Sequence, residues 1–274
     1  MTYAHRAAAF RALHRTGEPL LLPNAWDHAS AAALAQGGFP AIGTTSLGVA
    51  AAAGKADATG DTREETLRLA QGLARLPALI TVDIEGGFSE RPTEVAELAA
   101  DLVGAGVVGV NIEDGRPDGT LADTAPQCEL IRAIKESAPD LFVNARTDTY
   151  WLRAGGADET ERRAAAYRQA GADGLFVPGL QDDKAIAALV EGLPDVPLNI
   201  LFAPGALTYA RLAELGVRRV SSGSLLFRAA LHGAVEAARS ITRGGAVPQD
   251  LPSYADAQAL SAAYGDKDQP PTRR

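Results

Sequence analysis

Cysteine, long apolar runs and positive charge are all scarce in this sequence of 274 residues. Its one cysteine, Cys128, cannot form an internal disulfide, which fits the reducing cytoplasm. No stretch approaches the roughly 20 apolar residues of a membrane-spanning helix, and segment 1–15 lacks the continuous apolar core of a signal peptide. The formal net charge of −8 argues against a nucleic-acid partner. We therefore expect a cytoplasmic globular protein that binds neither nucleic acid nor a membrane.

What the sequence does contain is a regular alternation of short apolar runs and amphipathic stretches. The runs are too short for helices and are bounded by Gly, Pro, Asn or Asp, so we predict strands at 20–23, 41–43, 79–83, 107–112, 141–146, 174–178, 198–201 and 219–221. Helices are predicted between them at 62–73, 92–105, 125–137, 159–170, 182–190 and 206–215. Because parallel neighbours need a crossover, roughly eight such alternations predict an α/β fold that closes into a (β/α)8 TIM barrel.

An open doubly wound sheet is the alternative architecture for the same alternation. Such a sheet normally carries a glycine-rich phosphate-binding turn after an early strand. Here the first predicted strand is followed by residues 23–27 (PNAWD), which cannot serve that purpose. The barrel is therefore the favoured interpretation.

The chain shows no internal domain boundary, so we predict one barrel domain over 1–265 that includes the C-terminal helices. Residues 266–274 are polar and rich in proline, and they predict a flexible tail. The stretch beyond residue 225 is more helical than a barrel needs, and the apolar helix predicted at 225–238 is expected to pack on a neighbouring subunit. We therefore expect a homo-oligomer, either a dimer or a tetramer.

Polar residues collect where the predicted strands end, which is where barrels build their active sites. The sharpest signal is the segment 83–87 (DIEGG), in which strand alternation places Asp83 and Glu85 on one side. Clustered carboxylates without nearby His or Cys suit Mg²⁺, with Mn²⁺ possible, better than zinc. Taken singly, each acid is also explained as a solvated loop residue or a helix cap. The other strand-end candidates are Thr45, Ser46, Glu113, Arg146 and Asn199, with Asp57 on the loop after the second strand.

Two of these candidates have specific alternatives. The Arg146 guanidinium has the geometry to hold a substrate carboxylate in a bidentate fork, but a structural ion pair with a neighbouring acid explains it equally well. The segment 45–48 (TSLG) offers backbone N–H groups beside a turn, which in principle form an anion-binding nest. Cys128 lies in a helical pattern and is expected in the core, and the four histidines show no ligand or triad spacing.

These segments resemble the phosphoenolpyruvate mutase/isocitrate lyase superfamily over about residues 20–228. The resemblance is carried by segments 38–57, 78–90 (ALITVDIEGGFSE), 104–115 (GAGVVGVNIEDG), 142–148 (FVNARTD) and 166–179, in this order and spacing. It implies a (β/α)8 barrel, often with the eighth helix exchanged between subunits. It also implies that Asp83 binds Mg²⁺ directly and that Asp57, Glu85 and Glu113 hold it through water.

The resemblance implies further roles in substrate binding. Thr45 and Ser46 match positions that bind a substrate carboxylate through backbone N–H groups, Arg146 matches an arginine at the oxo-acid or enolate portion, and Asn199 matches an asparagine at the far side of the pocket. The implied ligand is a small 2-oxo carboxylate. Arg146, Glu113 and Asp57 are the candidates for catalysis.

The sequence departs from the superfamily pattern in the segments that distinguish one reaction of the superfamily from another. The lyases carry a lysine- and cysteine-bearing loop after the Asn-Ile-Glu-Asp segment, and the phosphonomutases carry a lysine and an asparagine there. This chain has GRPDGT at 115–120, and NILFAP at 199–204 replaces the lyases' Asn-Ile-Thr-Glu-Phe-Gly.

The first hypothesis is a Mg²⁺-dependent lyase or decarboxylase acting on a 2-oxo or 2-hydroxy (di)carboxylate through an enolate. The alternatives are a phosphoenolpyruvate mutase or hydrolase, and a 2-oxo-acid-binding protein with little turnover.

Overall fold

The computed structural model describes residues 2–15, 17–246 and 248–264. Within these residues nine parallel strands form one sheet whose two ends meet. The predicted tail at 266–274 lies outside the described residues. The strands are β1 (Leu20–Leu22), β2 (Asn24–Ala25), β3 (Ala41–Thr44), β4 (Leu79–Asp83), β5 (Gly109–Glu113), β6 (Phe142–Arg146), β7 (Gly174–Phe176), β8 (Leu198–Leu201) and β9 (Arg219–Ser221).

The sheet closes because its first barrel strand is divided in two. β1 pairs with β9, while β2 pairs with β3 on the other side. Pro23 separates the two pieces, and proline has no backbone N–H to donate to a ladder, although its carbonyl oxygen accepts from Gly43 N–H at 2.9 Å. Counting β1 and β2 as one strand, the structure is the predicted (β/α)8 barrel.

Helices alternate with the strands and cover the outside of the barrel. Several begin at the expected signals: Asp27 and Ser30 form a capping box at the second helix, and Pro92 occupies the first turn of the fifth. The helices are α1 (Tyr3–Leu13), α2 (His28–Gln36), α3 (Ser46–Ala52), α4 (Arg63–Leu73), α5 (Pro92–Ala105), α6 (Thr124–Ser137), α7 (Ala157–Gln169), α8 (Asp183–Gly192), α9 (Tyr209–Glu214), α10 (Leu225–Thr242) and α11 (Tyr254–Ala259), followed by a 3₁₀ turn at Leu260–Tyr264. In the part of the chain that the structure describes, none of them has the length and apolarity to cross a bilayer.

The main core lies between the strands and the helices. Alternate residues of β4 and β5, such as Ile80 and Ile112, are fully buried in one cluster with Leu98 and Leu102 of α5. Each such side chain contributes roughly 1.5–3 kcal/mol to the free energy of unfolding. Cys128 belongs to the same cluster, as its helical pattern predicts.

The inside of the barrel is blocked at its N-terminal end by α1. Phe10 is fully buried, and the His14 ring stacks on Phe142 with ring centroids 4.5 Å apart. The intervening positions of the strands point away from the helices and carry polar groups, among them Asn111, Asn144 and Asn199. This arrangement leaves the C-terminal ends of the strands as the face where a site can be built.

Candidate active site

A cavity of about 180 Å³ lies at the C-terminal ends of the strands. It brings together six of the residues predicted from the sequence, although they are spread over more than 100 positions of the chain. These are Thr45, Ser46, Asp57, Asp83, Glu113 and Arg146. The other two predicted residues, Glu85 and Asn199, do not line this cavity.

Arg146 is held between two acids at the end of β6. Its Nη1 lies 2.5 Å from Glu113 Oε2, and its Nε and Nη2 donate to the two carboxylate oxygens of Asp148 at 2.6 and 3.0 Å. The guanidinium carbon also lies 5.7 Å from the centre of the Phe176 ring. Of the two interpretations left open by the sequence, the ion pair is therefore present, and the same contacts fix the guanidinium at the cavity wall.

The carboxyl groups opposite Arg146 are poorly solvated. Burial raises the pKa of Asp83 to about 6, against the lowering effect of the Arg146 charge. Burial raises the pKa of Glu113 to about 8, again opposed by Arg146 and reinforced by the Asp83 charge. Both shifts show that the site disfavours two ionised carboxylates unless a cation compensates them.

The carboxylate oxygens of the site can be compared with the ligands that a magnesium ion requires. Glu113 Oε2 is buried and makes no well-oriented hydrogen bond, although Arg146 lies close by. Among the described residues, no group of three or more His, Cys, Asp or Glu side chains stands close enough to hold a metal ion as a set. Mg²⁺ in proteins usually touches few carboxylates and keeps most of its waters, so it does not require such a set. The assignment of Asp83, Asp57, Glu85 and Glu113 to the metal stays a prediction.

Glu85 is engaged with the loop that carries Asp57. It is almost fully buried, and its two carboxylate oxygens accept from the Thr62 hydroxyl at 2.6 Å and from Gly60 N–H at 2.9 Å. Its own backbone has φ +50°, an unfavourable value for a residue with a Cβ. Sequence reasoning predicted Thr62 only as part of a helix start, yet its side chain makes no cap bond there. The Glu85 carboxylate therefore holds the loop that carries Asp57 in place through its hydrogen bonds to Thr62 and Gly60.

The segment 45–48, predicted to offer backbone N–H groups beside a turn, forms the beginning of a helix. Thr45 is the residue that precedes α3, and Ser46 is its first residue. The Thr45 N–H donates to the Ala25 carbonyl oxygen at 3.1 Å, so it already has a partner. The first N–H groups of a helix lack partners within that helix, which makes Ser46 the better placed of the two for a ligand carboxylate.

A buried arginine beneath the cavity was missed by sequence reasoning. Arg219, on β9, is 1% exposed, and its Nη2 donates to Asn111 Oδ1 at 3.1 Å, which also accepts from Asn144. Burial lowers the pKa of Arg219 to about 9, while the Asp83 charge opposes this shift. Asn111 and Ser221 line the cavity directly, whereas Asn199 lies fully buried with no side-chain hydrogen bond among the described residues. The burial of Arg219 could have been suspected from the sequence, because alternate residues of a strand point into the barrel.

A second set of buried charges supports Asp148 from behind. Asp114 accepts from the Asp148 N–H at 2.8 Å through one oxygen. Through the other oxygen it accepts from Arg163 at 3.0 Å and from the Tyr167 hydroxyl at 2.7 Å. This network ties the end of β5 to α7, so that Asp148 and, through it, Arg146 are held in place.

These features define a class of protein: a (β/α)8 barrel with buried acids and an arginine grouped at the C-terminal ends of its strands, where barrel enzymes carry their active sites. The chain belongs to the family described as phosphoenolpyruvate phosphomutase, whose sequence pattern matches residues 10–242. The predicted membership of the phosphoenolpyruvate mutase/isocitrate lyase superfamily is thereby confirmed.

The relatives in this family carry names for several reactions. An uncharacterised protein of Mycobacterium tuberculosis, Rv1998c, is 45% identical over 261 residues, 94% of this chain and 98% of that protein. The 2-methylisocitrate lyase of Bacillus subtilis is 34% identical over 201 residues, 70% of this chain and 65% of that enzyme. The oxaloacetate decarboxylase of Pseudomonas aeruginosa is 31% identical over 212 residues, 73% of this chain and 69% of that enzyme.

Solved structures agree with the barrel. A protein of Burkholderia cenocepacia J2315 assigned to the lyases or mutases has a TM-score of 0.86 at 35% identity, over 95% of this chain and 96% of that one. A phosphonopyruvate hydrolase solved with oxalate and Mg²⁺ has a TM-score of 0.82 at 26% identity, over 94% and 95% of the two chains.

Proposed function

We propose that this protein is a Mg²⁺-dependent lyase or decarboxylase that breaks a carbon–carbon bond in a small 2-oxo or 2-hydroxy (di)carboxylate through an enolate. The observation that carries the proposal is the pair of carboxyl groups of Asp83 and the buried Glu113, which face Arg146 in one cavity. The relatives named 2-methylisocitrate lyase and oxaloacetate decarboxylase support a reaction of this type, and the hydrolase solved with oxalate and Mg²⁺ supports the metal.

Each residue has a separate part in this proposal. Asp83 would hold Mg²⁺, or Mn²⁺, and Asp57, Glu85 and Glu113 would hold its waters. When bound there, the metal would supply positive charge that polarises the substrate's oxo group. Ser46, with Thr45, receives the substrate carboxylate, and Asn199 lies behind the far wall. The fixed Arg146 guanidinium offsets the negative charge that develops on the substrate oxygen when the bond breaks. Glu113 and Asp57 are the carboxyl groups available to move a proton.

Asp83→Ala tests this proposal most directly. Oxaloacetate and 2-methylisocitrate are incubated with Mg²⁺ or Mn²⁺, and product formation is followed for the original protein and the variant. We expect metal-dependent turnover whose kcat/KM falls roughly 1000-fold or more in the variant, because the charge that stabilises the transition state is lost. Asp101→Ala, on the exposed face of α5, is the matched control and should retain full activity. The absence of metal-dependent turnover over the whole substrate panel contradicts the proposal.

The short loop at 115–120 supports a second candidate, a 2-oxo-acid-binding protein with little turnover. This loop carries neither cysteine nor lysine to move a proton. Binding of 2-oxoglutarate or pyruvate with Mg²⁺, measured by calorimetry, combined with no product over hours, favours this candidate.

Incubation with phosphoenolpyruvate, followed by phosphorus NMR, checks the mutase or hydrolase alternative, since phosphonate and phosphate give separate signals. The cytoplasmic location stays a prediction.

A further inference from the structure

A second cavity, of about 800 Å³, lies at the end of the barrel opposite the candidate active site. It is bounded by the C-terminal end of α1, the connection from α8 to β8, and the residues that precede β7 and β9. This is the face at the N-terminal ends of the strands, where barrel enzymes do not carry their catalytic residues. The volume falls within the range of about 300–1,000 Å³ that is typical of sites for small organic molecules. The cavity is therefore larger than a single inorganic ion requires.

The charged groups that line this second cavity are mostly positive, although the whole chain carries a net charge of −8. Four arginines line it together with two aspartates, and these are Arg11, Arg15, Arg168, Arg218, Asp173 and Asp195. Asp173 is compensated from outside the lining, because one of its carboxylate oxygens accepts from Lys135 Nζ at 2.8 Å and from Val143 N–H at 2.9 Å. The Asp195 side chain is 80% exposed, so its contact with Arg168 at 3.2 Å contributes little. The acids of the lining thus leave a surplus of positive charge.

Arg11 and Arg15 are the two cations that one element brings to the cavity. Arg11 lies in the last turn of α1 and Arg15 follows four residues later, so both side chains leave the same side of the chain. Arg11 reaches the second oxygen of Asp173 only at 3.4 Å, and Arg15 forms no ion pair within the part of the chain that the structure describes. Like charges at this spacing repel each other, and an anion bound between them removes that repulsion.

The cavity also has an apolar wall. It is formed by the connection from α8 to β8, in which Leu193 and Leu198 are buried while Val190 and Val196 are half-buried. Small-molecule sites commonly combine a largely apolar lining with a few polar groups that orient the ligand. The wall therefore suits the organic part of a ligand whose charged part meets the arginines.

His14 gives an independent indication that the cavity receives a polar molecule. This side chain lines the cavity beside Phe142, on which its ring stacks. Its Nδ1 lies 2.9 Å from the Phe10 carbonyl oxygen, but its buried Nε2 has no hydrogen-bond partner among the described residues. His14 is only 4% exposed, and buried polar atoms that the protein leaves without a partner are commonly met by water or by a ligand.

We propose that this cavity is a second binding site, for a phosphorylated small molecule about the size of a nucleoside monophosphate, whose phosphate group lies between Arg11 and Arg15. A phosphate group carries about 1.5–2 negative charges at neutral pH, whereas a carboxylate carries one, so phosphate matches two neighbouring guanidinium groups better. The planar guanidinium also binds phosphate oxygens in a bidentate fork. The inference is independent of the proposed reaction, because the two cavities lie at opposite ends of the barrel.

Calorimetric titrations test the proposal with four probes: adenosine 5′-monophosphate, glucose 6-phosphate, inorganic phosphate and adenosine. EDTA is present throughout, so that binding through a metal at the candidate active site does not contribute. We expect at least one of the two organic phosphates to bind the original protein, inorganic phosphate to bind more weakly, and adenosine to show no measurable binding. Arg11→Met and Arg15→Met should each weaken binding of the organic phosphate roughly 10-fold or more, because each removes a charge-assisted hydrogen bond.

Two matched substitutions locate the binding. Arg132→Met removes a positive charge from the exposed face of α6, and Arg116→Met removes one from the lining of the candidate active site. Both should leave the affinity for the organic phosphate unchanged, and thermal unfolding verifies that every variant is folded. A loss with Arg116→Met or Arg132→Met as large as that with Arg15→Met would place the ligand elsewhere and overturn the proposal.

The ligand class has its own decisive outcomes. Failure of both organic phosphates to bind the original protein overturns the site. Inorganic phosphate that binds as tightly as the organic phosphates overturns the role of the apolar wall. Adenosine that binds as tightly as its monophosphate overturns the role of Arg11 and Arg15.

Discussion

Two arginines, the mostly buried Arg146 and the fully buried Arg219, compensate the negative charge of the acids in the site. Arg146 contacts Glu113 and Asp148 directly, whereas Arg219 lies beneath them and bonds only the amide oxygen of Asn111 among the described residues. A buried guanidinium without an ion pair is costly unless negative charge lies nearby, and the Asp83 charge does raise the pKa of Arg219. The acid cluster thus stabilises Arg219, just as Arg219 reduces the net charge beneath the cluster.

His14 provides a prediction at the scale of one residue. Burial, aided by the Arg219 charge, lowers its pKa from 6.5 to about 3. Below about pH 6.5 the unfolded chain takes up a proton at this position while the folded protein does not. The stabilising contribution of neutral His14 is therefore complete above pH 6.5 and is lost as the pH falls towards 3.

We expect the unfolding free energy of the His14→Phe variant to fall less at acidic pH than that of the original protein. Between pH 6.5 and 4.5 the original protein should lose about 2–3 kcal/mol more unfolding free energy than the variant. Urea unfolding across this range measures the difference, and the aromatic replacement keeps the stacking on Phe142. His5→Phe, on the exposed side of α1, is the control. Parallel curves for the original protein and His14→Phe would contradict the assignment.

The sequence could predict the residues of the site better than their partners. Asp83, Glu113 and Arg146 were predicted because each ends a buried strand, and a barrel brings strand ends together whatever the loops do. The Thr62–Glu85 bond and the burial of Arg219 could not be predicted. Both depend on contacts between distant segments, which local patterns do not encode.

At the scale of elements, the strand positions followed from short apolar runs, and most boundaries agree within two residues. The helix that begins at Ser46 was not predicted, because Ser46 and Gly48 are typical of loops. The alanines that follow favour a helix, and α3 begins there instead. The division of the first strand at Pro23 also escaped prediction, since pairing with β9 on one side and β3 on the other is a property of the closed barrel.

The contact between the 55–62 loop and Glu85, two residues after the end of β4, gives a prediction at this scale. Thr62→Val removes the hydroxyl donor from a fully buried position without changing the side-chain volume much. The Glu85 carboxylate then loses one hydrogen bond, which should cost about 1–3 kcal/mol of unfolding free energy. The loop that carries Asp57 should loosen, so Mn²⁺ affinity should also fall several-fold, which calorimetry measures.

Matched substitutions make this test specific. Thr59→Val alters an exposed threonine of the same loop and should leave both stability and metal affinity unchanged. Thr62→Ser keeps the hydroxyl and should retain most of the stability. If Thr62→Val is as stable as Thr59→Val, the bond to Glu85 does not hold the loop.

At the scale of the whole molecule, one part of the barrel wall is left uncovered by the residues that the structure describes. Leu21, on β1, faces outward and is 41% exposed, although the outer faces of barrel strands are normally covered by helices. α10 follows β9 along the chain, yet Phe227 is its one buried residue, while Leu231 and Val235 are 53% and 47% exposed. The end of the described chain returns to the barrel elsewhere, where the Tyr264 hydroxyl donates to the His28 carbonyl oxygen at 2.6 Å.

We propose that α10 of a second copy covers this face and that the protein is a homo-oligomer, a dimer at least. Both apolar surfaces are then removed from water, which stabilises association by about 25 cal/mol per Å² buried before the entropy of association is subtracted. In sedimentation velocity, the original protein should run as a dimer or larger, and the double substitution Leu231→Glu with Val235→Glu should yield monomers. Leu21→Glu should have the same effect, because it charges the opposite side of the same contact. Ala229→Glu, on the other face of α10, should leave the assembly intact. An assembly that survives the α10 substitutions but dissociates with Leu21→Glu would show that β1 is covered by another element.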